Sequence, residues 1–537
     1  MPTQYISFKE TGYFSNLICD YLAQDPKLTP FYNRYPTLEN FKLQLEEKKK
    51  SFPKKNRDVL VKSLQEQYNT LKPSAKTVQH INSLTEENTF TVVTGHQLNL
   101  FTGPLYFLYK IVSTINLAKK LQEQYPENTF VPVYWMATED HDFDEINFFN
   151  FRGKKFQWQG PNSEGSGGAV GELPTNGLEN VFELFKKELG IGENAETLKK
   201  WFQDAYLNHD NLTNATRFLA DKLFGENGLV IIDGADKNLK QLFVPFMEKE
   251  LFEQESQKAV SETIEKLNHA DASYKIQVNP RDINLFYLKK GLRERIVEVD
   301  GRYQVFETDI SWSKEELKKH LEEYPERFSP NVMTRPLYQE VILPNLCYIG
   351  GGGELAYWLE LKEFFKQNSI PFPMLLLRNS ALVATEKQAK KLEKLNISFQ
   401  QLFLKRASFI NKKVREISDI DINFNKQKEH LVKQFEEMYR LAELTDKSFL
   451  GAVKAQEVKQ LKGLEHLEKR LLKAQKKKLS DQVSRMTDLQ NELFPNESLQ
   501  ERTDNFANLY DEFGDKLIKT LLSELDPLKQ EFVVITM

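Results

Sequence analysis

Apolar residues recur at three- and four-residue spacing through residues 1–88, in runs such as LEEKKKSFPKKNRDVLVKSLQEQY, and predict a helical lead-in. At Thr89 the pattern changes. FTVVTG is a short β-branched run that stops at a glycine, as a buried strand does, and after the turn FTGP the segment LYFLYKIVSTINLAKKL returns to helical period. FVPVYWMA, closed by the polar cluster TEDHD, reads as a second strand. Strand, helix and strand at this spacing predict a βαβ unit with a parallel sheet. GLVIIDGAD before LKQLFVPFMEKELFEQ repeats the pattern, and so does PFPMLLLRNS before a helix over ALVATEKQAKKLEKL. The expected fold class is therefore α/β, a Rossmann-like parallel-sheet core built from residues 89–150, 226–260 and 331–385.

Two connecting insertions interrupt this core. Residues 151–225 hold a glycine-rich loop, PNSEGSGGAVGELP, and a helical stretch too long for a simple crossover. Residues 261–330 hold strand-like pieces, YKIQV, NLFYLKK and RIVEVDGRYQVF, with Asp300-Gly301 as a hairpin turn signal. Residues 386–492 differ in kind: rich in Lys, Glu, Gln and Leu and almost free of Gly and Pro, they predict a long antiparallel coiled coil. Leu431, Phe435, Met438 and Ala442 step by four and three, as do Leu464, Leu467, Leu471 and Ala474; the seam slips at Leu479 and resumes at Val483. Residues 493–537 are expected to return to the core, with EFVVITM joining the main sheet.

Composition narrows the class of partner. Lys and Arg total 73 against 77 for Asp and Glu, a net charge of −4, so no large positive field exists to drive nucleic-acid binding. Two cysteines, Cys19 and Cys347, show neither disulfide nor metal-ligand spacing, and the sequence calls for no metal. With no long apolar stretch and no basic region leading into an apolar one, the expected compartment is the cytoplasm.

In open parallel sheets, ligands bind beyond the carboxyl ends of the strands. Four segments fall there. The first is Gly95-His96-Gln97 with Thr102-Gly103-Pro104, where glycine permits close backbone approach and a histidine can donate to a phosphate. The second is Glu139-Asp140-His141-Asp142 beside Trp135, ionisable residues among which a histidine can act as a base. Third is Gly350-Gly351-Gly352-Gly353-Glu354, and fourth Arg378, which suits a carboxylate or phosphate. Each also has a plain structural alternative, a capped turn or a solvated surface cluster.

Taken together, TGHQLNLFTGPLYFLYKI, VPVYWMATEDHDFDEIN, QVNPRDINLFYL, RPLYQEVILPNLCYIGGGGELAYW, PMLLLRNS and LQER resemble the bacillithiol biosynthesis cysteine-adding enzymes over nearly the whole chain. That resemblance implies a ligase joining the cysteine carboxyl to the amine of glucosaminyl-malate, with a homodimer formed through the coiled coil. The core is also similar to class I aminoacyl-tRNA synthetases, which activate carboxylates as adenylates. Val93 stands where a His-x-Gly-His signature needs histidine, and no Lys-Met-Ser-Lys-Ser segment exists, so the use of ATP or a related adenine nucleotide stays open. On this reading His96, His141, Asp142 and Glu139 are the candidate catalytic residues. Gly95, Gln97, Thr102, Gly103, Lys110, Gly351, Gly352 and Gly353 would hold the nucleotide, and Trp135, Asp140, Glu354, Tyr357 and Arg378 the substrates. Arg281, Arg293, Arg335 and Arg378 are equally eligible for the malate carboxylates. Two other classes remain: a tRNA-related, class I synthetase-like nucleotide-binding protein, and a non-catalytic coiled-coil scaffold.

Overall fold

The structure, a computed structural model, describes residues 3–69, 71–161 and 167–537; residues 162–166 of the glycine-rich loop lie outside it. Two compact units emerge, one of residues 1–383 with 499–535 and 537, the other of residues 384–498 with 536.

The first unit is built on five strands: β1 (Thr89–His96), β2 (Thr129–Met136), β3 (Val230–Asp233), β4 (Asn345–Gly350) and β5 (Met374–Leu377). All neighbours run parallel in the order β5-β4-β1-β2-β3, the Rossmann arrangement. The order reverses between β1 and β4, and a crevice opens at such a switch point beyond the strand ends. Strand register decides which residues reach it: His96 lies opposite Met136, Met136 opposite Asp233, Thr94 opposite Ile349, and Gly350 opposite Leu377.

Four helices bear on the site: α1 (Tyr106–Gln124), α2 (Lys237–Glu253), α3 (Thr334–Ile342) and α4 (Gly352–Leu359). Because α1 packs against the sheet on one side and the helix Lys516–Glu524 on the other, it buries residues nearly all round its circumference. Asn116 on α1 donates to the carbonyls of Leu522 and Leu525, closing that second side. One buried cluster joins Phe41 and Leu45 to Phe90, Val92, Leu117, Leu121, Cys347, Ile349 and Leu376. Cys347 is thus a core residue, and burial pushes its thiol well above the usual range.

The second insertion forms an antiparallel sheet in which Leu292–Val299 and Arg302–Val305 make the expected hairpin, with Asp300 and Gly301 both at positive φ. Three expectations are corrected. EFVVITM does not join the main sheet: Phe532–Thr536 lies between Gln4–Ile6 and Ala381–Ala384 in a separate three-stranded sheet, because an apolar run carries no information about its neighbours. ALVA is a strand, and the helix begins at Glu386, where Thr385 and Gln388 form a capping box that overrides the helical reading of Ala381 to Ala384. YKIQV forms neither strand nor helix, since the backbone N–H groups of Gln277 and Val278 are taken by a carboxylate, that of Glu360.

In the second unit α5 (Asn425–Glu443) and α6 (Lys447–Lys478) pair as an antiparallel hairpin, followed by α7 (Ser480–Leu493). Phe435, Ala442 and Val453 are buried between them with Leu431 and Tyr439 packed alongside. The helix breaks at Leu479, where the heptad seam slips. Met438 and Leu467, both on the expected seam, stay 43% and 51% exposed. Among the described residues, no helix is long and apolar enough to cross a membrane.

Candidate active site

β1 delivers Gly95 and His96 to the switch point. A side chain at position 95 would place its Cβ 3.2 Å from the Tyr348 hydroxyl, so anything larger than glycine presses on that ring. Beyond His96 the chain turns through three left-handed residues, Phe101 (φ 48°), Thr102 (φ 68°) and Gly103 (φ 63°). Two of them carry side chains, and such strain persists only where surroundings impose it. Here the Phe101 ring packs among Phe149, Phe185, Phe202 and Phe506, the Tyr206 hydroxyl accepts the Phe101 N–H, and the Asn505 amide donates to the carbonyls of Phe101 and Gly103.

The turn sets the histidine. His96 is buried against Tyr106 and Phe107, and its Nε2 is buried without a hydrogen-bond partner. Burial, then the positive charges of Lys110 and Arg378, hold its pKa well below the ordinary value, so the ring is neutral.

Beneath it, the Lys110 ammonium on α1 donates to the Gly95 carbonyl (2.6 Å) and pairs with Glu354 Oε2 (2.6 Å). Glu354 also accepts from the Tyr348 hydroxyl (2.7 Å) and the Gly351 N–H (2.7 Å). Burial alone would raise the Glu354 pKa, but Lys110 and these donors hold it below the usual range. Burial lowers that of Lys110, with Glu354 opposing. Position 350 must be glycine, as a Cβ would come within 2.9 Å of the Tyr348 ring and 3.0 Å of Glu354.

Arg378 closes this side. Its guanidinium donates to Asn379 O, Ser380 Oγ and, at 2.8 Å, Glu501, while Nε is buried without a partner, 3.8 Å from where a Cβ on Gly351 would sit. Arg335 on α3 lies over the rings of Trp135 and Tyr348 with one terminal nitrogen unpartnered. Across the cavity, Glu139 pairs with the fully buried Lys240 of α2 at 2.6 Å; burial pushes the Glu139 carboxyl up, with Lys240 opposing. Gln97 donates to Asp140 (2.9 Å) and Glu145 (2.8 Å).

These groups enclose a cavity of about 610 Å³. It is lined by Gly95, His96, Gln97, Lys110, Trp135, Glu139, Asp140, Gly351, Gly352, Gly353, Glu354, Tyr357 and Arg378, which the sequence singles out. Thr102 and Gly103 are not in the lining; they shape the turn behind His96. Nor are His141 and Asp142, both exposed; His141 Nδ1 lies 2.7 Å from Arg293. Sequence reasoning passed over Tyr106, Tyr348, Gln277, Val278, Asn331 and Arg502 and left Arg335 and Arg293 undistinguished from Arg281, which stays outside. Tyr348 carried a signal, since it sits two residues before Gly350 on the same side of the pleat. Among the described residues, no group of three or more His, Cys, Asp or Glu side chains is placed to hold a metal ion.

Comparison with known proteins places the whole chain. Residues 1–379 match the family described as "Bacillithiol biosynthesis BshC, N-terminal Rossmann-like domain", and residues 381–537 that described as "Bacillithiol biosynthesis BshC, C-terminal coiled-coil domain". A protein of Christiangramia forsetii is 62% identical over 536 residues, covering 100% of this chain and 99% of the relative. One from Flavobacterium johnsoniae is 58% identical with 100% of both covered, and one from Bacillus cereus (strain B4264) is 28% identical with 96% of both covered. All three bear the name "Putative cysteine ligase BshC".

Proposed function

Because this chain belongs to the bacillithiol biosynthesis BshC family, we propose that it is a cytoplasmic ligase joining the carboxyl of L-cysteine to the amine of glucosaminyl-malate, the last step of bacillithiol assembly. The observation that carries this reading is a neutral, buried His96 in the lining of a cavity that also holds Lys110, Arg293, Arg335, Arg378 and Arg502. A neutral imidazole leaves one ring nitrogen without a proton, so His96 can accept a proton as well as donate one. His96 takes the proton that the amine sheds as its nitrogen bonds to the cysteine carbonyl carbon and the C–O bond to the activating group breaks, that group leaving with the electron pair. His141 and Asp142, exposed and outside the lining, are less suited to that task.

A carboxylate is a poor electrophile, and an adenine nucleotide, when bound, would supply the activation. The residues fit such a group: Gly351, Gly352 and Gly353 let its phosphates approach the backbone, Arg378 offers a spare N–H, and Gly95, Gln97 and Lys110 line the facing wall. Arg335 and Arg293, each with a buried unpartnered nitrogen, suit the malate carboxylates. Incubating the protein with cysteine, glucosaminyl-malate and ATP should yield the amide, with one nucleotide cleaved per product, both followed by mass. Absence of the amide with all three present would refute the reading.

We also propose a homodimer through the coiled coil, since Met438 and Leu467 leave apolar side chains in water on the expected seam. Sedimentation at micromolar concentration should give twice 62.7 kDa, and Met438→Glu with Leu467→Glu should shift the mass toward the single chain. A wild-type protein that sediments as one chain refutes the dimer.

A further inference from the structure

Between the helix Glu255–Ala270 and the strand Leu285–Lys289 the chain runs from Asp271 to Asn284 without helix or strand. Both ends are tied down. The Tyr274 hydroxyl donates to Asp20 (2.7 Å), and at the far end the Asn284 N–H donates to Glu250 (2.7 Å) while its carbonyl accepts from Thr334 Oγ1 (2.9 Å). Midway, Gln277 and Val278 line the cavity, and their two N–H groups converge on one carboxylate, Glu360, at 2.8 and 3.3 Å.

Glu360 follows directly on α4, the helix that starts at the glycine turn, and is fully buried. Burial pushes its carboxyl up to about 7, the two N–H groups opposing. A carboxyl in such a place costs stability, and what it gains is a hold on this segment. The Gln277 NH2 donates to the Lys275 carbonyl (3.0 Å), and its Oε1 lies 3.9 Å from where a Cβ on Gly353 would sit, so the segment lies beside the glycine turn that Arg378 Nε also approaches.

We propose that residues 274–284 form a strap walling the cavity beside the glycine turn, that Gln277 and Val278 select the ligand bound there by shape and by the accepting Gln277 Oε1, and that Glu360 is the positioning residue that holds the strap. The proposal rests on the ligase reading for its substrates, and not for its geometry. Two ligands carry hydroxyl or N–H donors for that oxygen, the nucleotide and glucosaminyl-malate.

Glu360→Gln tests it in the full-length protein. The amide keeps the side chain's shape but has one accepting oxygen for two N–H donors, and its NH2 faces the other donor. Amide exchange at Gln277 and Val278 should quicken at least tenfold while that of β1 and β4 stays unchanged. KM for ATP or for glucosaminyl-malate should rise at least tenfold with kcat within twofold, and the one that rises identifies the ligand at the turn. Gln277→Ala changes an exposed side chain and should raise the same KM without altering thermal stability. Unchanged exchange in Glu360→Gln overturns the positioning role, and both KM values unmoved in Gln277→Ala overturn the selecting role. If the wild type forms no amide, the ligase reading fails alone. The strap is then judged by calorimetric binding of ATP and of malate, one of which Glu360→Gln must weaken at least tenfold for the proposal to stand.

Discussion

Replacing His96 by Asn should lower turnover on the order of 10² to 10⁴-fold, the range for loss of a positioned proton-transfer group. At pH 8 the fold should lose little, about 1–2 kcal/mol, because the amide fills part of the ring's volume against Tyr106 and Phe107. The pH dependence of stability tests the neutral state on which this role depends. The folded pKa of His96 lies well below 6.5, so below that pH the unfolded chain binds a proton that the folded chain refuses. Wild-type stability therefore falls as pH drops below about 6.5, and the variant lacks that part of the decline. The thermal midpoints should converge between pH 8 and pH 5. A variant that stays fully active, or whose midpoint runs parallel to that of the wild type at every pH, would remove His96 from the chemistry.

The five strands of the core were readable because each is a β-branched or aliphatic run ending at a polar residue or glycine, and a parallel sheet buries such runs on both faces. The same property located the site, since the ligand rule for open sheets needs only the strand ends, here His96, Met136 and Gly350. TEDHD shows where that rule stops. The Asp140 N–H turns back onto the Ala137 carbonyl (3.2 Å), so Glu139 and Asp140 face the cavity while His141 and Asp142 point to water, and no spacing in the sequence distinguishes the two pairs. Arg335 and Gln277 were equally hidden, because they arrive from α3 and from an irregular segment whose placement depends on Glu360. The residues that hold the site's walls are the hardest case. Asn505 reaches the turn at Phe101 from 404 positions away, and loop closure over such distances leaves no local trace.

Glu501 is the other such residue, and removing it should have the largest effect on stability. Its carboxylate, fully buried, accepts from Arg378 (2.8 Å), Ser380 Oγ (3.1 Å) and the Ala381 N–H (3.1 Å), joining the returning chain to the end of β5. Glu501→Ala leaves the Arg378 guanidinium buried without its counter-charge, a loss of about 3–5 kcal/mol for a broken buried pair. Turnover should fall as well, since Arg378 is free to swing from the glycine turn, but a destabilised enzyme loses activity for many reasons. The double variant Arg378→Met with Glu501→Leu removes both charges and fills the space, and such replacements are often neutral. Its midpoint, by thermal or urea unfolding, should recover most of the loss. Its turnover should not, because the unpartnered N–H that Arg378 holds near Gly351 is gone. Recovery of both would make the pair purely structural and leave the anion at the glycine turn to Lys110 and the backbone; recovery of neither would mean that the Ser380 and Ala381 contacts, rather than the ion pair, hold the return of the chain.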